Sequence, residues 1–250
     1  MKKIVITAVF LLMFGTCAYA ADPDIGVICY HSVSDNPLKL STFCISDKEF
    51  EEDIEYLEDK GYNCIMPKEM WNSDPGVRNI VLTFDDGYED FYEVVFPILK
   101  EHNIKAAVYI IGSEIDKTGY LKSWQLKEID QSGLVEIGNH TNIMHSYEYT
   151  ESELASNSTM REEFIEDVKE CNNKLYRILG HGAESFSYPG GKYTSKIDSI
   201  IRVNLGYTTT FTTDYGIVRT KSDITKPMKR LYRIHGDNMS IIEQRIENFR

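Results

Sequence analysis

Between residues 26 and 235 the chain repeats one pattern: a short apolar run of four to seven residues, usually followed by a segment with helical periodicity. The runs are "GVICY" (26–30), "NCIM" (63–66), "NIVLTF" (79–84), "AAVYII" (106–111), "LVEIG" (134–138), "SFSYP" (185–189), "YTTTFTT" (207–213) and "LYRIH" (231–235). Helical patterns lie at about 46–60, 89–102, 124–132, 151–179, 194–204 and 239–249. The first of them opens with a capping box, Ser46 with Glu49, carries Phe50, Ile54 and Leu57 on one face and stops at Gly61. Short strands alternating with helices are accommodated by an α/β fold, either a parallel β/α barrel or a doubly wound sheet. No linker-like stretch or internal repeat divides the 250 residues, so one domain is expected.

Both folds gather their chemistry at the carboxyl ends of the strands. Asp85 and Asp86 follow the run 79–84, His140 follows 134–138, Pro189 to Gly191 follow 185–188, Asp214 follows 207–213 and His235 ends 231–235. Adjacent carboxylates repel when both are charged, so "DDG" needs a cation, a shared proton or strong donors; an Asp-Gly turn is the plainer alternative. His140 and His145 in "NHTNIMH" supply the missing part of a metal site, because two histidines and a carboxylate bind Zn, Fe, Co or Ni and leave positions open. On an α-helix of 3.6 residues per turn a spacing of five sets the rings about 140° apart, so the pair must lie on a loop or irregular turn to share an ion.

Lys2 and Lys3, the run "IVITAVFLLMFG" and Ala18-Tyr19-Ala20 form the pattern of a leader cleaved after Ala20, with a retained anchor as the alternative. The expected domains are therefore a signal peptide, 1–20, and one domain, 21–250. Cleavage leaves no span in a membrane and places the chain outside the cytoplasm: secreted, periplasmic or on the cell surface. The whole chain carries a formal charge of −12, and losing Lys2 and Lys3 leaves 25 basic against 39 acidic residues, about −14. Nucleic acid is a poor partner for such a surface, whereas neutral or cationic polymers fit it. Cys29, Cys44, Cys64 and Cys171 permit two disulfides in three pairings, or four buried thiols. No G-x-S-x-G is present, which removes one route to nucleophile chemistry.

"TFDDG", then "HTNIMH", then "SYPGG", in this order, resemble the first three motifs of the NodB-homology polysaccharide deacetylases. "YHSVSDN" and "LEDKGYNCI" resemble the amino-terminal part of the subgroup that acts on poly-N-acetylglucosamine. The resemblance implies a distorted (β/α) barrel of about seven parallel strands in a single, monomeric domain. It implies hydrolytic removal of N-acetyl groups from an acetylated polysaccharide with the help of a divalent metal ion: zinc first, with Fe, Co or Ni as alternatives. Peptidoglycan, chitin oligomers and acetyl-xylan are rival substrates, and a glycan-binding relative without turnover is a rival of another class. By the same resemblance Asp86, His140 and His145 hold the ion, Asp85 is the general base, the Gly190 N–H faces the oxyanion, and His235 is the acid. Tyr88, Tyr147, Tyr188 and Tyr193 are candidates for stacking on sugar rings.

The chain departs from the family at the third motif, where Ser187 stands in place of the arginine that orients the base. The family's fourth motif is matched only loosely, around Asp214. Arg233, two residues before His235, is expected to share a strand face with it and to reach Asp85; Arg230 is the second candidate.

Overall fold

The computed structural model describes residues 25–146 and 149–249. The leader pattern and Tyr147 lie outside the described residues. The element order is β1 (Gly26–Tyr30), β2 (Ser32–Ser34), β3 (Cys44–Ser46), α1 (Asp47–Asp59), β4 (Asn63–Cys64), β5 (Asn79–Phe84), α2 (Phe96–His102), β6 (Ala106–Ile110), α3 (Ser123–Gln131), β7 (Val135–Asn139), α4 (Glu151–Ser156), α5 (Ser158–Leu179), β8 (Ser185–Ser187), α6 (Ser195–Ser199), β9 (Thr209–Tyr215), α7 (Lys221–Ile224), β10 (Met228–Tyr232) and α8 (Met239–Glu247).

Seven parallel strands close into a barrel in the order β1-β10-β9-β8-β7-β6-β5, with β5 paired back onto β1. The distortion has an address. β4 pairs with the start of β5, at Asn79 and Ile80, while β6 pairs with its end, at Thr83 and Phe84. The edge of β5 is thus shared between two neighbours, and β5 and β6 join along only part of their length. β2 and β3 form a separate two-stranded parallel ribbon beside the end of β1. The fold is the expected distorted (β/α) barrel of seven parallel strands in a single domain.

Parallel strands are buried on both faces, which is why their sequences read as unbroken apolar runs. Outward side chains such as Ile28, Leu82, Phe84, Val108, Ile137 and Leu231 pack under the helices with Phe50, Leu99, Leu126, Leu175 and Ile242. Inward ones, Val27, Val81, Ala107, Tyr109, Phe211 and Met228, fill the barrel. Continuing each alternation by two residues puts Cys29, Thr83 and Arg230 on the inner face, and one more step past β5 puts Asp85 there. The barrel is therefore apolar lower down and polar just beneath its carboxyl rim.

Two expected elements are corrected. The helix expected over 151–179 is two, α4 and α5, because Asn157 leaves helical geometry and caps α5 through its side chain onto the Met160 N–H. The last strand, expected over 231–235, runs Met228–Tyr232 instead, with a register irregularity between Met228 and Arg230. That offset of three residues decides which arginine points into the barrel. The four cysteines of the described chain are free and buried; the permitted disulfides do not form. Among the described residues no helix is long and apolar enough to cross a membrane.

Candidate active site

The turn after β5 sends the two adjacent aspartates in different directions. Asp85 still behaves as strand, its N–H bonded to the Tyr30 carbonyl at 3.0 Å. Asp86 (φ 77) and Gly87 (φ 72) then both take left-handed backbone, a conformation that Asp tolerates better than most residues and Gly adopts freely. The chain reverses, and Asp85 faces the barrel interior while Asp86 turns to the histidines.

His140 and His145 meet because the segment between them is irregular. Thr141 has φ 69, and Met144–Ser146 form one 3-10 turn. The loop is held by Asp167 of α5, whose carboxylate accepts the backbone N–H groups of Asn142 (2.7 Å), Ile143 (2.9 Å) and Met144 (3.2 Å). Asp86 Oδ1 lies 3.5 Å from His140 Nε2 and 3.1 Å from His145 Nε2. Two ligand atoms on a tetrahedral ion with bonds of about 2.0–2.1 Å are about 3.3 Å apart, so these separations bracket what a divalent cation requires. His140 Nδ1 sits 2.7 Å from the Ser187 carbonyl, which can only accept, so Nδ1 carries the hydrogen and Nε2 keeps the lone pair for an ion. The donor set fits a metal.

Burial would raise the Asp86 pKa, but the close approach of the His140 and His145 rings outweighs it and the carboxyl is held far down. His140, buried as it is, is pushed up by the same two aspartates.

Asp85 has a different partner. The Arg230 guanidinium, wholly buried on β10, forks onto it with Nη1 to Oδ1 at 2.8 Å and Nη2 to Oδ2 at 2.7 Å. Burial alone would raise the Asp85 pKa; Arg230, then His140, hold it down at about 2. Ser187 completes the arrangement: its hydroxyl donates to Asp85 Oδ2 at 3.2 Å and accepts from Arg230 Nη2 at 3.0 Å. The serine at the third motif thus braces an arginine supplied by β10, 43 residues further along the chain.

The remaining expected residues lie elsewhere. Arg233 does not reach Asp85: it follows the end of β10, and its guanidinium clamps the buried Asp53 of α1 at 2.6 and 3.1 Å. His235 is bonded through Nδ1 to Glu49 of α1 at 2.8 Å and has a side chain 44% exposed, so it joins the rim of α1 and neither motif aspartate. Both misplacements follow from the strand ending at Tyr232. Tyr188 is fully buried with its hydroxyl on Asp198 at 3.1 Å, which leaves no face for a sugar. Gly190 is exposed on the turn after β8 with φ 58, its carbonyl taking the Thr213 hydroxyl at 3.2 Å.

His31, directly after β1, has a definite place. With Ser32, Lys39, Phe43, Asp86 and Tyr88 it lines a cleft of about 300 Å³ that reaches Asp86. Its ring clusters with Phe43 and Tyr232, at 4.9 and 6.1 Å between centroids, and its Nδ1 is buried without a hydrogen-bond partner. Burial lowers its pKa against the pull of Asp85 and Asp86. Tyr88 stacks on Tyr120 at 5.3 Å on the neighbouring wall.

Comparison with known proteins bears on the same residues. Residues 72–210 match the family model for polysaccharide deacetylase, more than half of the chain and all of the segment from Asp85 to Gly190. The chain belongs to the polysaccharide deacetylase family. Among deacetylase relatives, YxkH of Bacillus subtilis (strain 168) is 30% identical over 175 residues, covering 68% of this chain and 58% of that protein. The poly-beta-1,6-N-acetyl-D-glucosamine N-deacetylase of Staphylococcus aureus (strain MRSA252) is 26% identical over 182 residues, covering 68% of this chain and 61% of that protein. The chain therefore spans about three-fifths of the length of these two curated relatives. IcaB from Ammonifex degensii superposes with a TM-score of 0.72 at 28% identity, over 84% of this chain and 91% of that one. The Streptococcus pyogenes deacetylase PplD shares the fold, with a TM-score of 0.74 at 23% identity over 89% of this chain and 97% of its own. His31 and Arg230 fall outside the span that the deacetylase family model matches.

Proposed function

We propose that the protein is an exported, monomeric, divalent-metal-dependent N-deacetylase of poly-N-acetylglucosamine. The observation that carries this reading is the pairing of two carboxylates with separate duties: Asp86 with His140 and His145 at ligand spacing, and Asp85 beside them held by Arg230. The name of the Staphylococcus aureus relative supports the substrate, and the leader pattern supports export.

An ion at Asp86, His140 and His145, zinc before Fe, Co or Ni, would supply Lewis acidity that polarises the acetyl carbonyl and acidifies water. Asp85 takes the proton from the attacking water. Its Oδ2 already accepts from Arg230, Ser187 and Cys29, so Oδ1, with the Arg230 bond, is the oxygen better able to receive it. Arg230 keeps that carboxylate ionised and fixed in direction, the role the family gives to the third-motif arginine. Gly190 is exposed on the rim turn, and its N–H is the backbone donor for charge developing on the carbonyl oxygen. His31 replaces His235 as the proton donor to the departing amine, because it lines the cleft with Asp86 while His235 is engaged by Glu49.

Acetate release from poly-β-1,6-N-acetylglucosamine, chitin oligomers, peptidoglycan and acetyl-xylan, before and after chelation and metal add-back, tests the reading. Release that is greatest on the first polymer, abolished by chelator and restored by metal is expected. Glycan binding without acetate release under any metal would make the protein a binding relative instead.

A further inference from the structure

A second group of ligand atoms adjoins the first through the neighbouring residues Asp85 and Asp86. Cys29 Sγ, a His31 ring nitrogen and an Asp85 oxygen are all within 4.8 Å of one another. They come from the inner face of β1, from its end and from the turn after β5, all parts of the barrel rim. Cys29 Sγ is 3.7 Å from Asp85 Oδ2. A tetrahedral zinc ion with bonds of about 2.3 Å to sulfur and about 2.0 Å to oxygen holds those atoms about 3.5 Å apart, so an ion fits where the thiol hydrogen now lies.

The third ligand residue carries an uncompensated polar atom. His31 Nδ1 is buried with no hydrogen-bond partner, and the ring is fixed against Phe43 and Tyr232. His31, the least buried of the three, lines the cleft together with Asp86.

Two features make this position weaker than the one at Asp86. Arg230 already balances the Asp85 charge at 2.7 Å, and Cys29 has to give up its proton. It would therefore fill after the first. Its sulfur ligand selects zinc, cadmium or cobalt over magnesium or calcium.

We propose that Cys29, His31 and Asp85 form a second, weaker site for a thiophilic divalent cation, and that filling it stops the reaction. Binding forms a metal–sulfur bond and releases the thiol proton to solvent, with no change of oxidation state. The inhibition rests on the function proposed above, since it withdraws the base and the proton donor together; the binding does not.

The metal-free protein is titrated with cobalt(II) and zinc(II), followed by absorption, bound metal and acetate release. The wild type is expected to take a second equivalent that brings a near-ultraviolet thiolate-to-cobalt band. Excess zinc is expected to reduce its rate roughly a hundredfold, the usual contribution of a positioned base or acid. Cys29→Ser, with Cys29→Ala as a second variant, should lack the band. In excess zinc each should keep the rate it shows with one equivalent. A wild type that binds one equivalent only, or a band that survives in both variants, would overturn the site. The band reports sulfur and not turnover, so a silent protein that shows it keeps the site while the functional reading falls.

Discussion

Arg230→Met would remove the guanidinium that forks onto Asp85 without touching the ligands Asp86, His140 or His145. The cation lowers the pKa of the carboxyl, so its loss raises it, and the acidic limb of the pH–rate profile should move to higher pH while kcat falls and metal content stays constant. Arg230→Lys should restore charge but little orientation, since an ammonium lacks the planar fork. Arg233→Ala makes the contrast. It leaves Asp53 buried without its partner, so unfolding free energy should drop by about 3–5 kcal/mol, with the acidic limb of the surviving activity unmoved. The same pH shift in both variants would contradict the assignment of Arg230. Asp85→Asn should bind the first metal equivalent as the wild type does and lose turnover roughly a hundredfold or more; loss of that first equivalent would make Asp85 a ligand beside Asp86.

At the scale of elements, the loop from His140 to His145 depends on α5. Asp167→Asn replaces a carboxylate that accepts three backbone N–H groups with an amide that has one accepting oxygen. Metal affinity should fall about 10- to 100-fold, and direct metal titration checks it; unchanged affinity would mean the loop holds its shape by itself. Glu49 ties α1 to the segment after β10. Burial raises its pKa, but N–H bonds from Ser46 and Gly236 and a bond from His235 bring it down to about 2. Its folded value lies below the ordinary carboxylate value of about 4.3, so its contribution is complete above that pH and lost as pH falls toward 2. The stability gap between wild type and Glu49→Gln, from denaturant titrations across pH, should be steady above about pH 5 and narrow below it. A gap independent of pH would place the effect in packing. Much of this level was legible in sequence: the capping box at Ser46, the strand before Asp85, the need for an irregular turn between the histidines. The last strand was not, because "MKRLYRIH" offers two alternating readings and only contacts with β9 and β1 select Met228–Tyr232. One slip of that strand exchanged Arg230 for Arg233 and lent His235 a place on the rim.

At the scale of the molecule, barrel closure brings β1, β5, β7, β8 and β10 to one rim, so His31, Asp85, His140, Ser187 and Arg230 meet across a sequence separation of about two hundred residues. Alternation along each strand foretold which rim, but not which residues face each other across it. That depends on strand order and on the partial join of β5 to β6, neither of which a local pattern encodes. His31 shows the limit: it lies at a strand end in the sequence, and only closure of β1 against β5 sets it beside Asp85 and Asp86. The account rests on one ion held at that rim. Anomalous diffraction at the zinc edge from crystals grown with one equivalent of zinc tests it most directly. The expected result is a single strong peak within about 2.0–2.2 Å of Asp86, His140 Nε2 and His145 Nε2, with Asp85 still on Arg230; a peak elsewhere, or none between those three residues, would contradict it.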